Sequence, residues 1–400
     1  MFDSLKMAPP DAILGLTDAY ERDASVDKIN LGVGVFADET CHTPVLDSVK
    51  AAETRLLQQE RSKSYKPIAG DPRYATHVQQ LLLGQDHPVL VAQRAVTAQS
   101  PGGTGALRIA GDLFKRMGNS STVWISDPTW ANHAAVFAAA GLAVARYPYL
   151  DRASHGLAFS ALCDVLRDVN RGDVVVLHGC CHNPTGVDPT LAQWETIADI
   201  LTERQALPLL DFAYQGFGDG LEEDAAGLRC LAARCDELVV CSSFSKNFGI
   251  YSERVGALTI VARDRHTAEV SQSNVKLCIR ANYSTPPAHG AAIVTTILGD
   301  TSLKQQWIEE LAHMRARINN MRILLVQTLQ KKNAPFDGAF IMRQKGMFSM
   351  LGLGKAQAQR LRDKHAIYIT DGGRINVAGI TPANVDKLCD GLSDVVDLPV

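Results

Sequence analysis

An α/β architecture with a mostly parallel sheet is the fold this sequence predicts, on three observations. Between about residue 90 and residue 300, short apolar runs alternate with longer amphipathic segments, the rhythm of strand, loop and helix repeated. The segments between the runs include helix-like stretches such as 191–201. Asn183, Asp211 and Lys246 each follow one of these runs, at the carboxyl ends where open parallel sheets place their ligand loops.

In chain order the expected strands are 122–125, 174–177, 207–210, 238–241 and 255–261. Residues 191–201 have helical periodicity, and 302–332 have the length and spacing of one long helix. The tail mixes short strands with helices, and Gly372-Gly373 marks a turn. The expected division is an N-terminal arm with part of a small domain over 1–44, a large domain over 45–310, and a small C-terminal domain over 311–400 that opens with the long helix. The arm is expected to pack with the C-terminal domain. No repeat, linker or low-complexity tract interrupts the chain.

Composition narrows the function classes. Of 400 residues, 46% are hydrophobic and 21% charged, and the formal net charge is -3. No strong field favours nucleic acid or an anionic membrane, and no basic run resembles a nucleic-acid arm. The first residues lack the basic-then-apolar pattern of a secretory leader, and no apolar stretch is long enough to span a bilayer. Nine scattered cysteines form no C-x-x-C pair, so neither a metal nor a disulfide framework is expected. A cytoplasmic enzyme with no resident metal is the expectation.

The segment Ser242-Ser243-Phe244-Ser245-Lys246-Asn247-Phe248-Gly249 carries the most chemistry. A lysine just past an apolar run, among hydroxyls, suits an amine that must form an imine. Arg254 is a candidate bidentate clamp for phosphate. Together they are the signature of a pyridoxal phosphate site. Ser100 to Arg108 is a glycine-rich turn before a helix, where Gly103 and Thr104 can meet a phosphate; a plain turn is the alternative. Asn183, in a loop with His178 and His182, offers a donor to a ring oxygen. Pro184 and Gly186 argue against a helix there, hence against a metal pair at i, i+4. Asp211 suits a buried cationic ring nitrogen equally as it suits a helix N-cap, and Tyr214 is close behind it. Arg374 and Arg280 each stand in weakly polar surroundings; two such arginines suit a dicarboxylate, and solvated arginines are the alternative.

The order and spacing of these groups closely resemble the class I, fold-type I aminotransferases, in their aspartate and aromatic amino acid branch. The likeness runs from about Pro10 to the C-terminus. It rests on LGVGVF at 31–36, SPGGTGALR at 100–108, SDPTWANH at 126–133, HGCCHNPTG at 178–186, DFAYQGF at 211–217, SSFSKNFGIYSERVG at 242–256, RANYSTPPAHG at 280–290, GMFS at 346–349 and GRINVAG at 373–379. The resemblance implies a homodimer of subunits, each with a seven-stranded large domain and a smaller α/β domain. It implies pyridoxal 5′-phosphate on Lys246, with Asp211 at the ring nitrogen and His133 behind Asp211. Asn183 and Tyr214 would meet the ring phenolate, and Trp130 would stack on the ring. Gly103, Thr104, Ser243 and Arg254 would hold the phosphate, joined by Tyr65 reaching into the neighbouring subunit. Arg374, Asn183 and Gly34 would take the substrate α-carboxylate, Arg280 would cross the dimer interface to a distal carboxylate, and Phe348 would line the pocket. The implied reaction is ping-pong transamination between aspartate, or an aromatic amino acid, and 2-oxoglutarate.

Arg280, Val35 and Thr43 look like the aspartate enzymes, whereas Ala37, Ser64 and Thr285 match neither branch at the pocket rim, and Cys41 stands where glycine is usual. A smaller rim leaves space for an aromatic ring, provided Arg280 swings into solvent. The competing readings predict other features. A dehydrogenase needs a G-x-G-x-x-G after an early strand, which is missing. A lyase or decarboxylase on the same cofactor has no need of two carboxylate-binding arginines. A non-enzymatic binding protein would lack Lys246, Asp211 or Arg374.

Overall fold

The computed structural model describes residues 2–7, 14–118 and 121–398; Pro10, where the resemblance begins, lies outside them. The chain divides into two compact units, one of Met1–Thr43, Pro184–Gly186 and Arg317–Val400, the other of Pro44–Asn183 and Val187–Ala316.

The larger unit is built on seven strands in the spatial order Ala95–Pro101, Val255–Val261, Leu238–Ser243, Leu207–Phe212, Val174–His178, Thr122–Asp127 and Ala143–Pro148. Only Val255–Val261 runs antiparallel to its neighbours. The five expected strands are all present. Ala95–Pro101 and Ala143–Pro148 complete the sheet at its two edges, and their signals are weak for physical reasons. The first buries polar side chains, among them Thr97, whose hydroxyl meets that of Thr259 at 2.9 Å. The second is half-exposed. The helix Gly102–Arg116 lays Ala106, Ile109, Ala110 and Leu113 on the sheet against Val123, Val176, Leu209 and Val239. Burying each larger aliphatic side chain contributes about 1.5–3 kcal/mol, which holds the helix start over the strand ends.

The expected helix at 191–201 is Leu191–Arg204, begun by a Thr190/Gln193 capping box and ended at Gln205 in the left-handed region. The long helix spans Thr301–Lys331, and the division between units falls within it. Its Trp307 is fully buried in the larger unit, stacked on Phe248 at 4.4 Å and donating to Asn247 O at 2.7 Å.

The smaller unit contains two short sheets. Ile29–Asn30 pairs parallel with Ile367–Tyr368, and Phe348–Met350 antiparallel with Arg374–Asn376. The helices Lys355–His365 and Val385–Val395 pack beside them, the second burying Leu388, Leu392 and Val395 at helical spacing. The cysteines are free thiols, all buried except Cys41 and the half-buried Cys230. Among the described residues no helix is long and apolar enough to cross a membrane.

Candidate active site

The parallel strands of the larger unit end side by side. His178 closes one strand and is in register with Asp211 of the next, which pairs with Cys241 of the third. Their carboxyl ends open into a cleft of about 560 Å³, part of it open to solvent. Gly103, Thr104, Trp130, Asn183, Asp211, Tyr214, Ser243, Lys246 and Arg254 line it, together with His178, Cys180 and Ser245. Nine residues expected from sequence thus converge on one pocket. Asp211 is not a helix N-cap: its strand runs on to Phe212, and the next helix begins at Leu221.

Behind Asp211 a chain of hydrogen bonds fixes the charge. The Asn183 N–H donates to His178 Nδ1 at 3.0 Å, so that nitrogen carries no proton. Neutral His178 then holds its proton on Nε2, which faces the Thr129 hydroxyl at 3.5 Å. That hydroxyl, accepting from His178, donates to His133 Nδ1 at 2.8 Å. The remaining proton of His133 is on Nε2, which donates to Asp211 Oδ2 at 3.0 Å. With both imidazoles neutral, this arrangement gives each nitrogen a complementary partner and leaves Asp211 an acceptor, hence a carboxylate. Burial opposes the Asp211 charge, but the His133 hydrogen bond and the electrostatic attraction of the His133, His178 and Lys246 side chains outweigh it and hold the carboxyl below its ordinary range.

Burial pushes His178 well below the usual imidazole value and does the same to His182. His182 stacks on Tyr149 at 3.7 Å and meets Ser126 Oγ at 3.0 Å. Ligand-capable atoms of His133, His178 and Asp211 lie within 4.8 Å of one another. The hydrogen bonds just described already engage all four nitrogens of His133 and His178. Thr129 had no role assigned from sequence, although it lies within the 126–133 motif; a hydroxyl four residues before a histidine at a helix start is the signal.

Lys246 lies across from this anion, its Nζ 5.0 Å from the centre of the Tyr214 ring. Burial lowers its pKa; Asp211 works against the shift and Arg254 adds to it. An amine so placed is neutral more often than a solvated lysine, which is what a nucleophile requires. Trp130 stands edge-on to His133 at 5.3 Å.

At the pocket's other end the helix Gly102–Arg116 presents its N-terminus. Gly102 has φ +73°, and a Cβ there would lie 2.6 Å from Arg254 Nη2, so only glycine lets the guanidinium close over this turn. Arg254 Nη1 also reaches Ser245 Oγ at 3.4 Å. Positive charge, hydroxyls and unpaired helix N–H groups make an anion cradle. Amine, carboxylate, ring-oxygen donors and cradle fit pyridoxal 5′-phosphate.

Tyr65 and Arg280 do not line this pocket. Tyr65 is 94% exposed, and Arg280 is exposed, donating to Ser284 Oγ. In the smaller unit Arg374 and Phe348 are buried, with the guanidinium 4.3 Å above the Phe348 ring and Gly34 against that ring's edge.

Comparison with known proteins agrees with this chemistry. Residues 26–392 match the model of the family described as aminotransferase class I and II. The chain is 52% identical to the aspartate aminotransferase of Escherichia coli strain K12, over 99% of this chain and 100% of that one. It is 47% identical to the aromatic-amino-acid aminotransferase of Pseudomonas aeruginosa, covering 98% of each. The crystal structure of the Burkholderia pseudomallei aromatic-amino-acid aminotransferase, covalently bound to pyridoxal phosphate, superposes with a TM-score of 0.97 at 44% identity, over 99% of this chain and 100% of that one.

Proposed function

The chain belongs to the class I and II aminotransferases, and from that premise we propose that it carries an amino group from L-aspartate to 2-oxoglutarate in a ping-pong cycle, releasing an oxo acid and then glutamate. The observation that supports this most is the convergence in one pocket of a lysine with depressed pKa, a carboxylate held ionised by buried histidines, and a helix N-terminus closed by an arginine. Pyridoxal 5′-phosphate, when bound, supplies a cationic ring that takes up the charge left at the substrate α-carbon. Lys246 would hold its aldehyde, Asp211 its ring nitrogen, Asn183 and Tyr214 its phenolate, and Trp130 its ring face. Gly103, Thr104, Ser243 and Arg254 would hold its phosphate.

This chain's residues do the rest. Lys246 Nζ, free as a neutral amine, would take the proton from the substrate α-carbon and, as the resulting ammonium, would deliver it to the carbon that carried the cofactor's aldehyde. Asp211 stays anionic through this transfer because His133 and Thr129 keep it an acceptor. We assign the substrate α-carboxylate to Arg374, Gly34 and Asn183, the distal carboxylate to Arg280, and a place in the substrate-pocket lining to Phe348. We assign the active form to a homodimer in which Tyr65 and Arg280 complete the partner's site, and its place of action to the cytoplasm, in keeping with free thiols. We propose three domains, 1–44, 45–310 and 311–400; the compact units divide instead at Thr43/Pro44 and Ala316/Arg317, with Pro184–Gly186 in the smaller one.

A dual specificity that includes tyrosine and phenylalanine is the second reading. It is favoured by the small Ala37, and it requires Arg280 to leave the distal-carboxylate position for solvent. Mixing holoenzyme with each amino acid and following cofactor absorbance separates the two. Rapid conversion by aspartate alone supports the first, comparable conversion by tyrosine and phenylalanine the second, and conversion by none of them overturns both. Arg280→Leu is expected to weaken aspartate far more than phenylalanine, by about 1.5–3 kcal/mol, the worth of a charge-assisted hydrogen bond.

A further inference from the structure

Residues 31–38 form neither helix nor strand, so their backbone carbonyls need partners from elsewhere. Within the smaller unit, side chains supply several of them, whereas Leu31 O accepts from the Asn376 backbone N–H at 2.7 Å. Arg374 Nη2 donates to Gly32 O at 2.6 Å. Asn376 Nδ2 donates to Val33 O at 2.8 Å and to Val35 O at 2.6 Å. Arg317 Nη2 donates to Asp38 O at 2.8 Å. Residues 374 and 376 are two apart on one strand, so their side chains leave the same face and meet the same segment.

The Asn376 amide has only one orientation that satisfies its surroundings. Its Oδ1 accepts from the Ala378 N–H at 3.0 Å, which turns both amide protons toward the 33–35 segment. The two carbonyls it holds bracket Gly34. Because a peptide unit is planar and trans, holding Val33 O on Asn376 aims the Gly34 N–H the opposite way. From the other side Phe348 limits Gly34, since a Cβ at 34 would lie 3.0 Å from Phe348 Cζ.

We infer that Asn376 is a positioning residue for carboxylate recognition: by holding Val33 O and Val35 O it sets the direction of the Gly34 N–H beside Arg374. The inference rests on the reading that Arg374 and Gly34 take the substrate α-carboxylate. It assigns Asn376 no contact with substrate.

The test uses holoenzyme and maleate, a dicarboxylate that has no amino group to react, with binding read from cofactor absorbance. Asn376→Ala is expected to raise the maleate Kd and the aspartate KM roughly tenfold, the effect of losing one to two neutral hydrogen bonds, while kcat moves much less. Asn376→Asp, of the same shape but with a carboxylate facing two carbonyls, is expected to do more. Asn376→Ser keeps one donor and is expected to fall between wild type and Asn376→Ala. The pH titration of cofactor absorbance without maleate is expected to stay unchanged in all three, which a general loss of structure would not allow. If Asn376→Asp does not fold, the alanine and serine variants carry the test. A maleate Kd within twofold of wild type in both overturns the inference. Arg374→Ala separates the two levels: if it also binds maleate normally, the underlying carboxylate reading fails instead. Gly34→Ala combined with Asn376→Ala is expected to weaken maleate by less than the two single effects together, because both act on one peptide unit; full additivity counts against the inference.

Discussion

Replacing Thr129 with valine removes one hydroxyl at almost constant volume and breaks the hydrogen-bond chain behind Asp211 at its centre. The 2.8 Å bond to His133 Nδ1 is the one that matters; the 3.5 Å approach to His178 Nε2 is at the limit of a hydrogen bond and contributes little. His133 is fully buried, so the Nδ1 left behind has lost its donor in a place without bulk water. An unsatisfied buried polar group costs about 1–3 kcal/mol. Part of that is recovered if His133 moves its proton to Nδ1, but then Nε2 no longer donates to Asp211, and the carboxylate loses its main support. Either way roughly 1–2 kcal/mol is lost, from stability, from the step that uses the Asp211 charge, or from both. The assay pairs urea unfolding with kcat/KM for aspartate. The expected result is a kcat/KM reduced about tenfold, with Thr129→Ser close to wild type because it keeps the hydroxyl. A valine variant matching wild type in both measurements would refute the deduced proton order.

Three further outcomes follow from the same geometry. Gly102→Ala places a Cβ 2.6 Å from Arg254 Nη2 at φ +73°, and is expected to weaken pyridoxal 5′-phosphate binding by at least about tenfold, read from the cofactor Kd of the apoprotein. Asp211 raises the Lys246 pKa against the lowering by burial, so Asp211→Asn is expected to move the Lys246 titration to still lower pH; an NMR titration of labelled lysine in the apoprotein checks the sign, and an upward shift contradicts it. Trp307→Ala empties a fully buried indole site and breaks its bond to Asn247 O, and is expected to destabilise the protein by about 3–5 kcal/mol in urea unfolding.

Much of the pocket was legible along the chain because each group is announced by its local context. Lys246, Asp211 and Asn183 follow apolar runs, and the glycine turn before the helix Gly102–Arg116 predicts an N-terminus open to an anion. The relations among them were not legible. Thr129 and His178 are 49 residues apart, and His133 and Asp211 are 78 apart, so no local pattern links them. The edge strands escaped for a different reason: Ala95–Pro101 buries polar side chains that pair across strands, and Ala143–Pro148 is half-exposed, so neither forms an apolar run.

By itself, then, the sequence determined the α/β rhythm, the family and the identities of the groups that meet at the pocket. These depend on residue type and short-range spacing, through periodicity, caps and turns. Only the tertiary structure decided which groups face each histidine nitrogen, why Gly102 must be glycine beside Arg254, and that Asn376 holds the peptide of Gly34. Those properties belong to pairs of atoms brought within about 3 Å by register between strands and by packing. A one-dimensional pattern carries no such distances.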